Sequence, residues 1–234
     1  MTKNTALPGL KAVAGQDPVI HQMSRRKFLN FAGASTGVVL LASACSKNDN
    51  MAAGGVNLGS GDTGILNYAY ALEQLEAAFY IQVVKTFYTG ITDDEKSLLT
   101  DIRDHEVAHR EFFKAALAGS AIQALEVDFS SINFADRTSV LGTAKAFEDL
   151  GVSAYNGAGP LIQSAAYLTL AGKIVSVEAR HAALIRDRIS NGTFVGADVV
   201  DATTGLELSR TPSQVLTIAG KYIKTQLNSS NLPS

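Results

Sequence analysis

Residues 99–116 read LTDIRDHEVAHREFFKAA, and their apolar side chains recur at the three- and four-residue intervals of one helix face. That face carries, in order, Leu99, Ile102, Glu106, His109, Phe113 and Ala116. A glutamate and a histidine three positions apart leave a helix on the same side, one turn apart. The Glu106–His109 pair is therefore predicted to lie in a protein core. An ionised carboxylate in a core needs a cation, a proton or a paired arginine, because its burial alone costs several kcal/mol.

The same pattern returns in residues 170–189, LAGKIVSVEARHAALIRDRI. Here the apolar face carries Leu170, Ile174, Glu178, His181, Ile185 and Ile189. A single Glu-x-x-His pair is weak evidence, since a solvated face with a structural histidine also produces one. Two pairs on apolar faces are stronger evidence. No lysine or arginine shares either face, because Arg110 and Arg180 are each rotated by about 100° from their neighbours on an ideal helix.

Two further glutamates precede these pairs at matching positions. Glu73 and Glu148 are each followed seven residues later by a tyrosine, Tyr80 and Tyr155. The offset between the two halves is 75 residues for these positions and 72 for the Glu-x-x-His pairs, which indicates an internal duplication of a helix pair. Glu76 lies one turn from Glu73 and is the alternate ligand, although the spacing to tyrosine favours Glu73.

The pattern of caps and breaks predicts an all-α chain. Four helices are expected over about 62–88, 92–119, 136–156 and 161–190, with a short C-terminal helix over 211–227. A helix of 27 residues is about 40 Å long, and the 16 residues from 120 to 135 can extend over about 50 Å. They can cross the bundle and make helices two and three parallel. The predicted organisation is an N-terminal extension and export signal (1–45), a linker (46–61), a four-helix bundle (62–192) and a C-terminal loop and helix (193–234).

The order Glu, Glu-x-x-His, Glu, Glu-x-x-His resembles that of the ferritin-like carboxylate-bridged dimetal proteins, among them ferritins, bacterioferritins, rubrerythrins and manganese catalases. Residues 66–80 are similar to the branch that contains plant desiccation-related proteins and many exported bacterial proteins. The resemblance implies a ferritin-like bundle with a dinuclear iron or manganese centre. It implies terminal ligands Glu73 and Glu148, bridging ligands Glu106 and Glu178, capping ligands His109 and His181, and hydrogen-bond partners Tyr80 and Tyr155. For both tyrosines, core aromatics with a polar tip are the alternative.

Charge and histidine content narrow the possible partners. The formal net charge is −2 and no basic stripe is present, so a nucleic acid or an anionic membrane surface is not an implied partner. Beyond residue 45 the histidines are His105, His109 and His181. His105 is predicted to face away from the pairs, at the surface. A homodimer is left open.

The N-terminal residues are typical of an export signal. Residues 24–29, SRRKFL, precede an apolar run from Phe28 to Ala42 and resemble a twin-arginine signal, with a general secretory signal as the alternative. The single cysteine, Cys45, excludes an intrachain disulfide and stands where bacterial lipoproteins carry their lipid. Cleavage after Ala44 is the alternative to lipidation. Met23 competes with Met1 as the start.

The predicted function follows from the metal pair. Carboxylate-bridged iron or manganese reacts with dioxygen or peroxide, which suggests metal oxidation or detoxification of O2 or H2O2 near the cell envelope. The alternative is a non-enzymatic metal-binding or stress-protection protein, as in the desiccation-related relatives. A plain structural bundle with protonated or salt-bridged acids is a third possibility.

Overall fold

The computed structural model describes residues 54–234, and within them the chain is mainly helical. The main elements are β1 (Val56–Asn57), α1 (Gly61–Lys85), α2 (Asp93–Leu117), α3 (Arg137–Ala158), α4 (Ala165–Ile189), α5 (Pro212–Ala219) and β2 (Leu227–Asn228). The all-α four-helix prediction is confirmed. The predicted export signal and Cys45 lie outside the described residues.

Most helix starts coincide with caps visible in the sequence. Thr92 forms a capping box with Glu95 at α2, Asp136 caps α3, and Thr211 caps α5 ahead of a proline. The predicted start of the fourth helix is too early, because residues 159–161 form a separate 3-10 turn and Ser164 is the cap. The first helix also ends earlier than predicted, at Lys85 rather than Tyr88.

The helices form two hairpins, in which α1 packs chiefly on α2 and α3 on α4. Residues 118–136, the crossover, run beside α1 from near its start to beyond its end. Hydrogen bonds fix this path at three levels, between Asn67 and Ile122, between Gln74 and Leu125, and between Thr89 and Ala135. Because the crossover ends beside the end of α1, α3 begins at the same end of the bundle as α2. The long crossover predicted from the sequence is therefore present.

The C-terminal segment packs on the outside of α3 and differs from its prediction. The short helix ends at Ala219 instead of about 227, and a 3-10 turn and β2 follow it. Gly157 permits the close approach of this segment, since a Cβ there would lie 1.8 Å from the carbonyl oxygen of Arg210. The buried residues Val215 and Ala219 complete the contact.

The predicted linker is also wrong in its described part. Val56 and Leu58 are buried, and β1 pairs in parallel with β2. A two-residue strand has no detectable period, and its partner strand lies about 170 residues later in the sequence. The local sequence therefore does not reveal the pairing. Among the helices of residues 54–234, none has the length and apolarity needed to cross a bilayer.

Candidate metal centre

The four bundle helices bring the six predicted ligands together in the core. α1 supplies Glu73, α2 supplies Glu106 and His109, α3 supplies Glu148, and α4 supplies Glu178 and His181. Each glutamate lies on a mainly apolar helix face, so packing of the faces carries the carboxylates inside. All four glutamates are 0% exposed.

One half of the cluster surrounds the ring of His109. Its Nδ1 lies 2.8 Å from Glu178 Oε1, 3.5 Å from Glu73 Oε2 and 3.8 Å from Glu106 Oε2. The four residues offer ligand atoms that all lie within 4.8 Å of one another. They could hold one metal ion.

The other half repeats this arrangement around His181. Its Nδ1 lies 2.8 Å from Glu106 Oε1, 3.4 Å from Glu148 Oε2 and 3.7 Å from Glu178 Oε2. These residues form a second group that could hold a metal ion. Glu106 and Glu178 belong to both groups, and each turns one oxygen toward each histidine. This is the arrangement expected of carboxylates that bridge two ions.

Within residues 54–234, the inward-facing atoms of the cluster lack hydrogen-bond partners. They are Glu73 Oε2, both carboxylate oxygens of Glu106 and of Glu178, Glu148 Oε2, and the Nδ1 atoms of His109 and His181. The nitrogen–oxygen contacts are within ion-pair distance but are not formed as hydrogen bonds. Buried polar atoms are almost always paired in native proteins. Eight atoms without hydrogen bonds that converge on two points therefore fit a pair of cations.

The remaining oxygens of the two terminal acids are held by tyrosines from the opposite hairpin. The Tyr80 hydroxyl donates to Glu148 Oε1, and the Tyr155 hydroxyl donates to Glu73 Oε1, both at 2.5 Å. Both tyrosines are buried. Each bond fixes one carboxylate oxygen and leaves the other turned toward the cluster.

Glu76 is buried beside the cluster but belongs to neither group of ligand atoms. Its carboxylate fills space that Gly151 leaves on α3, where a Cβ would lie 3.0 Å from Glu76 Oε1. Gly151 is the residue 75 positions after Glu76, so the internal duplication is broken at this pair. Burial and the four neighbouring carboxylates raise the pKa of Glu76 well above its ordinary value, which favours the neutral acid.

His105 is exposed as predicted, but the expectation that it faces away from the site is wrong. Its Nδ1 lies 2.9 Å from Nε2 of His181, and the two rings are nearly parallel and meet edge to edge, with centroids 5.1 Å apart. The run HEVAH at 105–109 also matches the His-Glu-x-x-His pattern of zinc proteases. In the described residues His105 and His109 share no group of potential metal ligands, so the structure does not form that zinc site.

Protons partly balance the charge of the metal-free cluster. Burial disfavours the charged imidazoles, but the surrounding glutamates outweigh it and raise the pKa of both His109 and His181 to about 12. Burial raises the pKa of Glu148 to about 8. Burial would also raise the pKa of Glu106, but its contacts with both histidines lower it to about 2. A metal ion that binds here must displace protons.

The comparison with known families agrees with this geometry. The model of the ferritin-like domain family matches residues 61–191, from the first residue of α1 to the turn after α4. No curated protein matches the chain.

Proposed function

The chain belongs to the ferritin-like domain family, and we propose that it binds a dinuclear iron or manganese centre that acts in metal oxidation or in the removal of peroxide or dioxygen. Glu73 and Glu148 would be the terminal ligands, Glu106 and Glu178 the bridges, and His109 and His181 the nitrogen ligands. The observation that carries this proposal is the convergence of eight buried, unpaired ligand atoms in two overlapping groups.

The kind of donor supports iron or manganese. Carboxylates suit hard cations such as manganese, imidazoles suit iron and similar ions, and thiolates, which favour softer metals, are not part of the cluster. Charge gives a second argument. Four glutamates carry four negative charges when ionised, and two divalent cations with neutral imidazoles balance them. Glu76 then remains neutral, as its raised pKa favours.

Small cavities beside residues that adjoin the cluster are compatible with a small substrate. One apolar cavity of about 20 Å³ reaches Tyr155, and another of about 10 Å³ reaches Glu76. A cavity of about 10–15 Å³ is large enough for a single water molecule. Dioxygen and hydrogen peroxide are close to this size.

When bound, a carboxylate-bridged pair of iron or manganese ions supplies redox chemistry with dioxygen or peroxide. The protein's own contribution is to orient the donor atoms and to exclude bulk water. The two tyrosines fix the terminal carboxylates, and the apolar helix faces surround the cluster. These groups hold the ligands in place before the metal enters, which reduces the reorganisation that binding requires.

Complete burial of the four glutamates also supports a second candidate, metal retention without turnover, as in a stress-protection protein. The two candidates differ in one assay. Protein loaded with iron or manganese is compared with the same concentration of free metal for consumption of H2O2, O2 or Fe(II). Turnover above free metal that is lost in Glu106→Ala supports the redox function. Metal uptake with no rate above free metal supports retention.

We also propose that the protein acts outside the cytoplasm, on the basis of residues 24–29 and Cys45 in the sequence. Export through a route for folded proteins would permit metal loading before transport. The full chain is expressed with Arg25→Lys and Arg26→Lys together, and separately with Cys45→Ser. Retention of the first variant in the cytoplasm and loss of membrane attachment in the second are expected. Unchanged fractionation of both would contradict export by this signal and lipidation at this cysteine.

A further inference from the structure

The two halves of the cluster have the same kinds of ligand. They differ in the residue that lies next to each histidine on the side away from the cluster. His109 and His181 are 72 positions apart, and the same offset relates His105 to Val177. His105 contacts His181, whereas valine can offer no hydrogen bond through its side chain to His109. Nε2 of His109 is not among the buried atoms of residues 54–234 that lack a partner, so solvent can pair with it. One histidine of the cluster therefore has a side-chain partner behind it, and the other does not.

The contact between His105 and His181 has the geometry of an in-plane hydrogen bond. The nitrogen–nitrogen distance of 2.9 Å is that of a hydrogen bond, and the rings are nearly parallel, at 11°. His105 is held on α2 and His181 on α4, so the contact joins the two helices that carry the Glu-x-x-His pairs. His105 precedes Glu106 directly and therefore lies on the flank of α2 that faces α4.

The direction of this hydrogen bond follows from the metal site, and the inference rests on the proposed function. His181 turns Nδ1 toward Glu106, Glu148 and Glu178, so Nδ1 is the nitrogen that would bind a metal. A nitrogen that binds a metal carries no proton, so the neutral ring holds its proton on Nε2. That proton can be donated to Nδ1 of His105, which then acts as the acceptor.

We propose that His105 is a positioning residue that fixes the tautomer and ring orientation of His181, and that it makes the two metal positions unequal in affinity. Partners behind metal-binding histidines typically change metal affinity by roughly 10- to 100-fold. The position at His181, with Glu148, is the tighter one. The position at His109, with Glu73, is the weaker one.

The experiment is a titration of the metal-free full chain with Mn(II). Binding is measured by isothermal calorimetry and by the EPR signal of free Mn(II). His105→Phe keeps an aromatic ring at this position and removes the acceptor. His105→Asn replaces the ring nitrogen by an amide oxygen that can accept the same proton. Asp101→Ala, an exposed change one turn away on α2, is the matched control.

The wild-type chain is expected to bind two Mn(II) in two distinguishable steps. In His105→Phe the tighter step weakens by roughly 10- to 100-fold while the weaker step is retained, and His105→Asn recovers most of the loss. Unchanged binding in His105→Phe would overturn the inference. Equal weakening of both steps, or no recovery with asparagine, would also overturn it, because it would show only a packing role. A wild-type chain that binds neither Mn(II) nor, in the same titration, Fe(II) would instead refute the proposed function and the inference with it.

Discussion

The reciprocal tyrosines are the residues that couple the two hairpins at the cluster. Tyr80 on α1 holds Glu148 on α3, and Tyr155 on α3 holds Glu73 on α1. Each hydroxyl is buried and donates to a carboxylate that would otherwise have an unpaired outer oxygen. Loss of one donor should therefore affect both the fold and the orientation of one terminal ligand.

The substitution Tyr155→Phe tests this role. It removes the donor to Glu73 with little change in volume, and a buried acceptor without a partner costs about 1–3 kcal/mol. Metal affinity is expected to fall by roughly tenfold or more, because Glu73 loses the bond that orients it. Chemical denaturation of the metal-free form and Mn(II) titration measure the two effects. Tyr167→Phe, on the exposed part of α4, should change neither.

The pair of Glu76 and Gly151 makes a prediction about packing. A methyl group at position 151 would lie 3.0 Å from Glu76 Oε1, so the carboxylate must move in Gly151→Ala. In a Glu76→Ala background the same change meets no carboxylate, and the helix gains about 0.5–1 kcal/mol from replacing glycine. A double-mutant cycle on the free energy of unfolding is expected to give a coupling of about 1 kcal/mol or more. Additive effects would show that the packing of Glu76 does not depend on the absence of a side chain at Gly151.

The sequence predicts the position of a residue where helical periodicity determines it. It does not predict the position where packing between helices determines it. The face of α2 that carries Glu106 and His109 follows from apolar spacing alone. His105 is rotated away from that face, and only the position of α4 shows that it meets His181. The same limit applies to Glu76, because its proximity to Gly151 depends on how α1 and α3 pack.

Among the elements, the crossover between α2 and α3 depends on a few polar contacts. Asn67 is 3% exposed, accepts the backbone N–H of Ile122, and donates to the carbonyls of Leu58 and Ser120. The Asn67 side chain thus connects α1 to the residue that follows β1 and to two residues at the start of the crossover. The sequence indicates a long connection here by its lack of a helical period, but not which side chains hold it.

The substitution Asn67→Ala should destabilise this anchor. It leaves a buried N–H and at least one buried carbonyl without partners, at a cost of roughly 2–4 kcal/mol. Hydrogen exchange should show the loss of protection at Ile122, and chemical denaturation should show the loss of stability. Asn191→Ala, at an exposed turn after α4, is the control and should have little effect. Equal stability of the two variants would contradict the anchoring role.

At the scale of the whole molecule, the buried cluster links stability to pH and to metal. In the metal-free fold the pKa of Glu148 is raised to about 8 and that of both histidines to about 12. These groups bind protons more strongly when folded than when unfolded. Their contribution to stability is therefore present in acid and decreases as pH rises through the range from about 4.5 upward. Glu106, with its pKa lowered to about 2, contributes in the opposite sense only below about pH 4.5.

We expect the metal-free protein to be less stable at pH 8 than at pH 6, and its stabilisation by Mn(II) to be larger at pH 8. The second effect follows because metal binding releases protons from the ligands, and a lower proton concentration favours that release. An ion present at 100 times its dissociation constant adds about 2.7 kcal/mol. Thermal melts with and without Mn(II) at the two pH values measure both trends. A metal-induced shift that grows toward acid would contradict the ligand assignment.

The most direct test of the metal centre is the metal content of the full chain, purified from its native compartment and compared with Glu106→Ala and His181→Ala. Elemental analysis is expected to find two iron or manganese ions per wild-type chain and a large loss in both variants, because Glu106 faces both positions and His181 supplies the nitrogen of one. A folded wild-type chain with no bound iron or manganese, or variants with the wild-type metal content, would contradict the account.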